Sequence, residues 1–198
     1  MKNTASSYYL LIKRVLDVVF SFLLLLLLCL PMLIIALLIV LTSEGNAIFR
    51  QERVGRGGEP FVCYKFRTMY INTPENLPTA KFEDAHKYIT PIGAFLRKTS
   101  LDELPQLYNV LRGDMSLVGP RPLIRCEGEI HELRRRCGVY RVRPGITGLA
   151  QVNGRDRLPD IDKARYDARY SRNPSFSGDA RIIRQTLFGA FSGKDVAF

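Results

Sequence analysis

The stretch VVFSFLLLLLLCLPMLIIALLIVL, from Val18 to Leu41, decides how this chain is built, because 24 almost unbroken apolar residues match the thickness of a bilayer. Pro31 sits in its middle. There it removes one helical hydrogen bond and crowds the preceding turn. Basic residues flank the stretch on both sides, Lys13 and Arg14 before it and Arg50, Arg53 and Arg56 after it. The positive-inside tendency would place both flanks on the cytoplasmic side. A helix that dips into the membrane, breaks at Pro31 and returns satisfies both observations. The alternative, a spanning helix with a tolerated proline kink, is common and stays open on these residues alone. A cleaved leader is disfavoured, since the stretch is too long and no convincing small-residue cleavage site follows it. The chain thus divides into a membrane segment with its flanks, residues 1–46, and a membrane-associated domain, residues 47–198. Asp17 follows Lys13 by four residues and Arg14 by three, so it can pair with them where the helix meets the interface.

Beyond the apolar stretch the pattern is α+β, mostly helical with a small β-hairpin. Ala47 to Met69 reads as that hairpin, turning at Gly55-Arg56-Gly57-Gly58. Ile71 to Tyr88 reads as a polar loop. A helix is expected around Pro91–Lys98, another through Leu111 ending at Gly113, and a short charged helix over Glu127–Cys137 ending at Gly138. Val118-Gly119-Pro120-Arg121-Pro122 is a stiff turn whose two prolines hold the backbone around one arginine. Arg143 and Arg155 sit in further glycine-punctuated turns. From Arg181 to Phe191 the chain is amphipathic, with Ile182, Ile183, Leu187, Phe188 and Phe191 able to group on one side. That pattern suits an interfacial helix, and equally a helix facing a core.

Charge narrows the partner. Lys and Arg total 29 against 19 Asp and Glu, a net charge of +10, which favours an anionic partner such as nucleic acid, anionic lipid or a phosphorylated substrate. The apolar stretch makes headgroups and lipid phosphates the nearest anions. Cys29, Cys63, Cys126 and Cys137 have no close pairing of the zinc-site kind and read as reduced packing residues. His86 and His131 lack metal-ligand spacing. The sequence also has neither a G-x-x-x-x-G-K-[ST] loop nor a G-x-S-x-G elbow.

What remains is Asp102-Glu103. Ser100-x-x-Glu103 matches a capping box, and acids are favoured where a helix begins. Pro105 counts against Ser100 as the cap, because it would then fall one position beyond the free N–H groups; a helix starting at Asp102 accommodates it. The alternative is chemical. An ionised Asp can attack a phosphoryl group or hold a divalent metal, and a neighbouring Glu can manage a proton. Arg97, Arg121, Arg143 and Arg155 could grip phosphates, three of them from stiffened turns.

These residues, in this order, resemble the small monotopic phosphoglycosyl transferases of the bacterial sugar transferase family. The likeness runs through Lys13-Arg14-Val15-Leu16-Asp17, Tyr64-Lys65-Phe66-Arg67-Thr68-Met69 and Ser100-Leu101-Asp102-Glu103-Leu104-Pro105-Gln106. It continues through Gly113 to Pro122, Val142 to Gly148 and Ala150-Gln151-Val152-Asn153-Gly154-Arg155. The resemblance implies transfer of a phospho-sugar from a UDP-sugar to polyprenol (undecaprenyl) phosphate, releasing UMP, as the first membrane step of glycoconjugate assembly. It makes Asp102 the nucleophile that forms a covalent phospho-sugar intermediate and contacts Mg²⁺, with Glu103 completing the dyad. Arg97, Arg121 and Arg155 would serve the phosphates or nucleotide, with Arg143 and Gln151 as further substrate-binding candidates. It implies a re-entrant helix broken at Pro31, attachment to the cytoplasmic face of the bacterial inner membrane, and no role for a nucleic acid. Leu30 and Leu149 depart from the family's usual Ser and Trp, and Asp156-Arg157-Leu158-Pro159 leaves its pattern before Asp167, Tyr170 and Asp179 rejoin it. The sugar, the pathway and the oligomeric state are not implied.

Overall fold

The computed structural model describes residues 7–73, 85–154 and 157–192. Its first element, α1 (Ser7–Thr42), is a helix of 36 residues, about 54 Å long at 1.5 Å per residue. Only 6% of its most apolar window is buried, so this is no core helix: its leucines face outward in the manner of a lipid-embedded segment. The interruption expected at Pro31 is not found. The helix continues through that residue, because a proline withdraws only its own N–H and the flanking peptide groups keep the ladder on either side.

Both ends of α1 seat on the same body. At the first end, Tyr9, Lys13, Asp17 and Ser21 recur at four-residue spacing and form one face. Tyr9 Oη and Lys13 Nζ each lie 2.8 Å from Asp179 Oδ2. Asp17 accepts hydrogen bonds from Ser116 Oγ at 2.7 Å and from the Leu117 N–H at 3.2 Å. The pairing expected for Asp17 is therefore secondary: Lys13 is 3.8 Å away and closer to Asp179. Arg14 turns elsewhere, donating to the carbonyls of Val110 (2.6 Å) and Leu111 (3.0 Å), where a helix end presents unpaired acceptors. At the other end, Ile39 is buried with Phe66 and Leu96, and Arg67 gathers the carbonyls of Ser43, Glu44, Gly45 and Asn46.

The expected hairpin is present as β1 (Ile48–Val54) and β2 (Pro60–Phe66), antiparallel with Ile48 opposite Phe66 and Val54 opposite Pro60. Most of the loop expected over Ile71 to Tyr88 lies outside the described residues. Then come α2 (Pro91–Thr99), capped by Thr90 whose Oγ1 accepts the Gly93 N–H, and α3 (Gln106–Arg112), ended by Gly113 at φ 102°. β3 (Ser116–Val118), α4 (Gly128–Arg136), β4 (Gly145–Thr147), α5 (Leu149–Val152), α6 (Asp160–Arg172) and α7 (Phe176–Ser192) follow. β3 and β4 pair in parallel, Ser116 with Gly145 and Val118 with Thr147. With the hairpin they make the fold α+β and mostly helical.

α7 divides the apolar group expected on one side. Ile182 is buried with Val118 and Tyr170, whereas Leu187 and Phe188 are exposed. The helix therefore serves a core on one side and leaves an apolar strip on another.

Glycines let β3 and β4 approach. A Cβ on Gly145 would fall 2.1 Å from the Gly119 nitrogen, and one on Gly148 would fall 2.1 Å from the Gly119 oxygen. Neither backbone can retreat without breaking Gly119 N–H to Thr147 O (2.8 Å) and Gly145 N–H to Pro120 O (2.9 Å). Gly145→Ala is expected to lower the thermal midpoint by about 5 °C or more, from roughly 2 kcal/mol of overpacking. Circular dichroism melting of the purified variant checks this.

Candidate active site

Asp102 and Glu103 lie in a 3₁₀ turn, Leu101–Glu103, between α2 and α3. Neither capping arrangement is formed. Ser100 adopts a left-handed conformation (φ 57°), ends α2 through its own N–H and makes no side-chain cap, while Pro105 stands at the start of α3. The left-handed residue is the physical reason: it reverses the chain sharply after α2, which turns the two acids inward instead of leaving Ser100 extended as a cap.

Three elements converge on that turn. Lys65, from β2, places Nζ 2.7 Å from Glu103 Oε1, and Arg121, from the loop after β3, places Nη1 3.2 Å from the same oxygen. Arg97, in the last turn of α2, donates from Nε to Thr68 Oγ1 at 2.9 Å and brings its charge to bear on Asp102. Glu103 is buried, at 7% exposure, so two cations on one carboxylate compensate a desolvation that it could not bear alone. Asp102 feels burial most. Burial pushes its carboxyl above the ordinary aspartate range and Glu103 pushes the same way, while Lys65, Arg97 and Arg121 pull it back.

The arginine loop is held rigidly. Beyond the glycine contacts, Arg53 donates to Pro122 O at 3.0 Å, and the Val54 N–H reaches Leu123 O at 3.0 Å. Arg134 donates to Arg121 O at 2.8 Å while pairing with buried Asp167. Burial lowers the Arg53 guanidinium, and neighbouring Arg121 adds to that. Lys65, Arg97 and Arg121, with Arg53 behind them, exceed the two carboxylates in charge. Such a cluster suits a dianionic or more highly charged ligand.

The residues expected for the site are not all together. Asp102, Glu103, Arg97 and Arg121 are. Arg143 stands apart: its Nε donates to Gly113 O at 2.8 Å, and the charges nearest it are Arg14, Arg56 and Asp17. It shares the C-terminal end of α3 with Arg14, a backbone acceptor site that gives an arginine a structural employment. Gln151 is buried, its Nε2 donating to Ile146 O at 2.7 Å, so it braces β4 from α5. Arg155 lies outside the described residues. Lys65, Arg53 and Thr68 are site neighbours beyond the residues expected. Lys65 and Thr68 lie in the stretch 64–69 that carries the family likeness, and the alternation of β2 separates Lys65 from core-facing Phe66. Arg53, in β1, has only its place in the basic flank as a signal.

No group of three or more His, Cys, Asp or Glu side chains that could hold a metal converges among the described residues. The donor set fits a divalent cation only in the manner of Mg²⁺, which takes one or two carboxylates and completes its shell with substrate phosphates and water.

The profile of the bacterial sugar transferase family matches residues 8–193. The chain belongs to that family. Similar bacterial sugar transferases include the undecaprenyl-phosphate galactose phosphotransferase of Salmonella typhimurium, 39% identical over 202 residues covering 93% of this chain and 41% of that protein. The UDP-glucose:undecaprenyl-phosphate glucose-1-phosphate transferase of Caulobacter vibrioides is 42% identical over 182 residues, 88% of this chain and 68% of that protein. The exopolysaccharide production protein ExoY of Sinorhizobium fredii is 37% identical over 191 residues, 88% of this chain and 83% of that protein. Several of the larger relatives are matched over only about two fifths of their length, as with the Salmonella protein at 41%.

Proposed function

We propose that this bacterial sugar transferase is a phosphoglycosyl transferase that moves a phospho-sugar from a UDP-sugar to polyprenol phosphate. The observation that carries the reading is half-buried Asp102 beside buried Glu103, with Lys65 and Arg121 paired to Glu103 and the charge of Arg97 acting on Asp102. The names of the Salmonella and Caulobacter relatives support the two substrates.

The cations bind the diphosphate and orient it. An Asp102 carboxylate oxygen attacks the sugar-linked β-phosphorus; its bond to the bridging oxygen breaks and UMP leaves with that oxygen. An oxygen of polyprenol phosphate then attacks the same phosphorus, releasing Asp102 and forming the polyprenyl diphosphate sugar. Lys65 and Arg121 hold Glu103 in place beside the reacting groups, and Arg97 offsets charge at Asp102. Mg²⁺, held by Asp102 and the substrate phosphates, would supply further neutralisation of phosphate charge.

The test is a panel of UDP-sugars offered without lipid acceptor. The two-step reading expects stoichiometric UMP release and a sugar-phosphate mass on the peptide containing Asp102. Release of UMP only when acceptor is present, with no such adduct, would replace it with direct transfer in a ternary complex.

Membrane placement follows from α1. Its exposed leucines call for lipid, while Tyr9, Lys13 and Arg14 at one end and Ile39 at the other are tied to one body. A body that does not itself cross keeps both ends on one side, which supports a re-entrant, monotopic placement on the cytoplasmic face of the inner membrane. With the helix unbroken at Pro31, the return would need a kink there that keeps the helical ladder on either side. A cysteine placed at Leu11, an exposed position ahead of Lys13, is expected to resist membrane-impermeant maleimide in intact cells and to react after lysis. Labelling in intact cells would make the helix a span.

A further inference from the structure

We propose that Thr68 is a positioning residue for the active site, acting through Arg97; the proposal rests on the transferase reading above. Arg97 stands in the last turn of α2 with its charge acting on Asp102, and its side chain is long enough to take many rotamers. One contact selects among them: Nε donates to Thr68 Oγ1 at 2.9 Å. Holding Nε limits where the planar guanidinium can lie, and the opposite charge that acts on it is Asp102.

Thr68 is well placed to serve as a reference point. It is 7% exposed and stands two residues beyond the last residue of β2. Its carbonyl accepts the Thr90 N–H at 3.0 Å, and Thr90 in turn caps α2 through Gly93. Gly93 is pressed against it so closely that a Cβ there would come within 2.0 Å of Thr68 O. The carbonyl of Thr68 thus sets where α2 begins, and its hydroxyl sets where the side chain one turn from the end of α2 points. Neighbouring residues divide the remaining tasks: Lys65 goes to Glu103, Phe66 to the core with Ile39, and Arg67 to the carbonyls after α1. Four consecutive residues therefore refer both the cations and the helix in lipid to one strand end.

Valine copies the shape of threonine and keeps the carbonyl, so Thr68→Val removes the hydroxyl alone. The expected result is a fall of about 10- to 100-fold in the rate of UMP release at saturating UDP-sugar, the size typical of a misplaced charge-bearing group. Thr68→Ser should restore most of the rate, and the melting temperature of both variants should stay near that of the wild type. The deciding measurement is a double-mutant cycle with Arg97→Ala. If Thr68 acts through Arg97, Thr68→Val adds little to the loss already caused by Arg97→Ala. Additive losses, or a Thr68→Val rate equal to wild type, would overturn the positioning role. A Thr68→Val protein that melts far lower would point to a structural role, and an unrescued Thr68→Ser would also count against the proposal. A wild-type protein that releases no UMP from any UDP-sugar would overturn the transferase reading first, and this inference with it.

Discussion

Asp102→Asn is expected to abolish both UMP release and adduct formation, by about three orders of magnitude or more, while the protein becomes more resistant to heat. The activity half follows from the proposed nucleophile: asparagine keeps the shape and loses the attacking anion. The stability half follows from linkage. Burial raises the Asp102 carboxyl above its ordinary value, with Glu103 adding to it. Between the ordinary value and the raised one, the folded chain binds more protons than the unfolded chain, so stability falls as pH rises through that window. At neutral pH the ionised group is therefore held at a cost, which the neutral amide does not bear. Each 1 kcal/mol recovered would raise the melting temperature by about 2–4 °C in a chain of this size. The melt belongs in chelator without substrate, since a cation or diphosphate would offset the same cost. A melting temperature below wild type would mean that Asp102 is a structural anion, and retained UMP release would remove it as the nucleophile.

The second large effect lies away from the acids. Arg134 and Asp167 form a buried pair with side chains 3% and 1% exposed, joining α4 to α6. Asp167→Ala leaves a guanidinium in the interior without its counter-charge, a change of about 3–5 kcal/mol. The melting temperature should drop by roughly 6–20 °C. Activity should fall with it below the melt, because Arg134 also holds the Arg121 carbonyl. The pair is not itself an efficient stabiliser: Arg134 Nε and Asp167 Oδ1 find no partner among the described residues. Replacing both residues, Arg134→Met with Asp167→Leu, should therefore recover much of the stability lost by Asp167→Ala. If the double variant melts as low as the single one, the buried charge is not the cause. If its stability returns without its activity, the hold on Arg121 is what the reaction needs.

The sequence by itself determined whatever depends on composition and short period. The apolar run of α1 needs no tertiary context to be read, nor do the turn glycines of the hairpin or Gly113 closing α3. The family was legible too, because Leu101-Asp102-Glu103-Leu104-Pro105 and Gly119-Pro120-Arg121-Pro122 stand in a fixed order along the chain. Other features had no local signal. α6 has no apolar period to announce it, because the face it buries is made of Ala164, Asp167, Ala168, Tyr170 and Ser171, small or polar residues in the main. β3 and β4 are three residues each and meet in parallel only after a long excursion, a pairing that alternation cannot announce.

For the candidate site the same division holds. The acids and arginines could be named from the chain, but which arginines face the acids could not. Arg121 and Arg143 both sit in stiff Pro/Gly turns, yet one reaches Glu103 and the other ends α3 at Gly113. Spacing along the chain does not encode which carbonyl or carboxylate lies within a guanidinium's reach. The left-handed turn at Ser100, the seating of α2 on Thr68 and the glycine contact between β3 and β4 decide that. Pro31 is the reverse case: its chemistry was plain in the sequence, but only the folded chain, tied to the body at both ends of α1, says that the helix carries on through it.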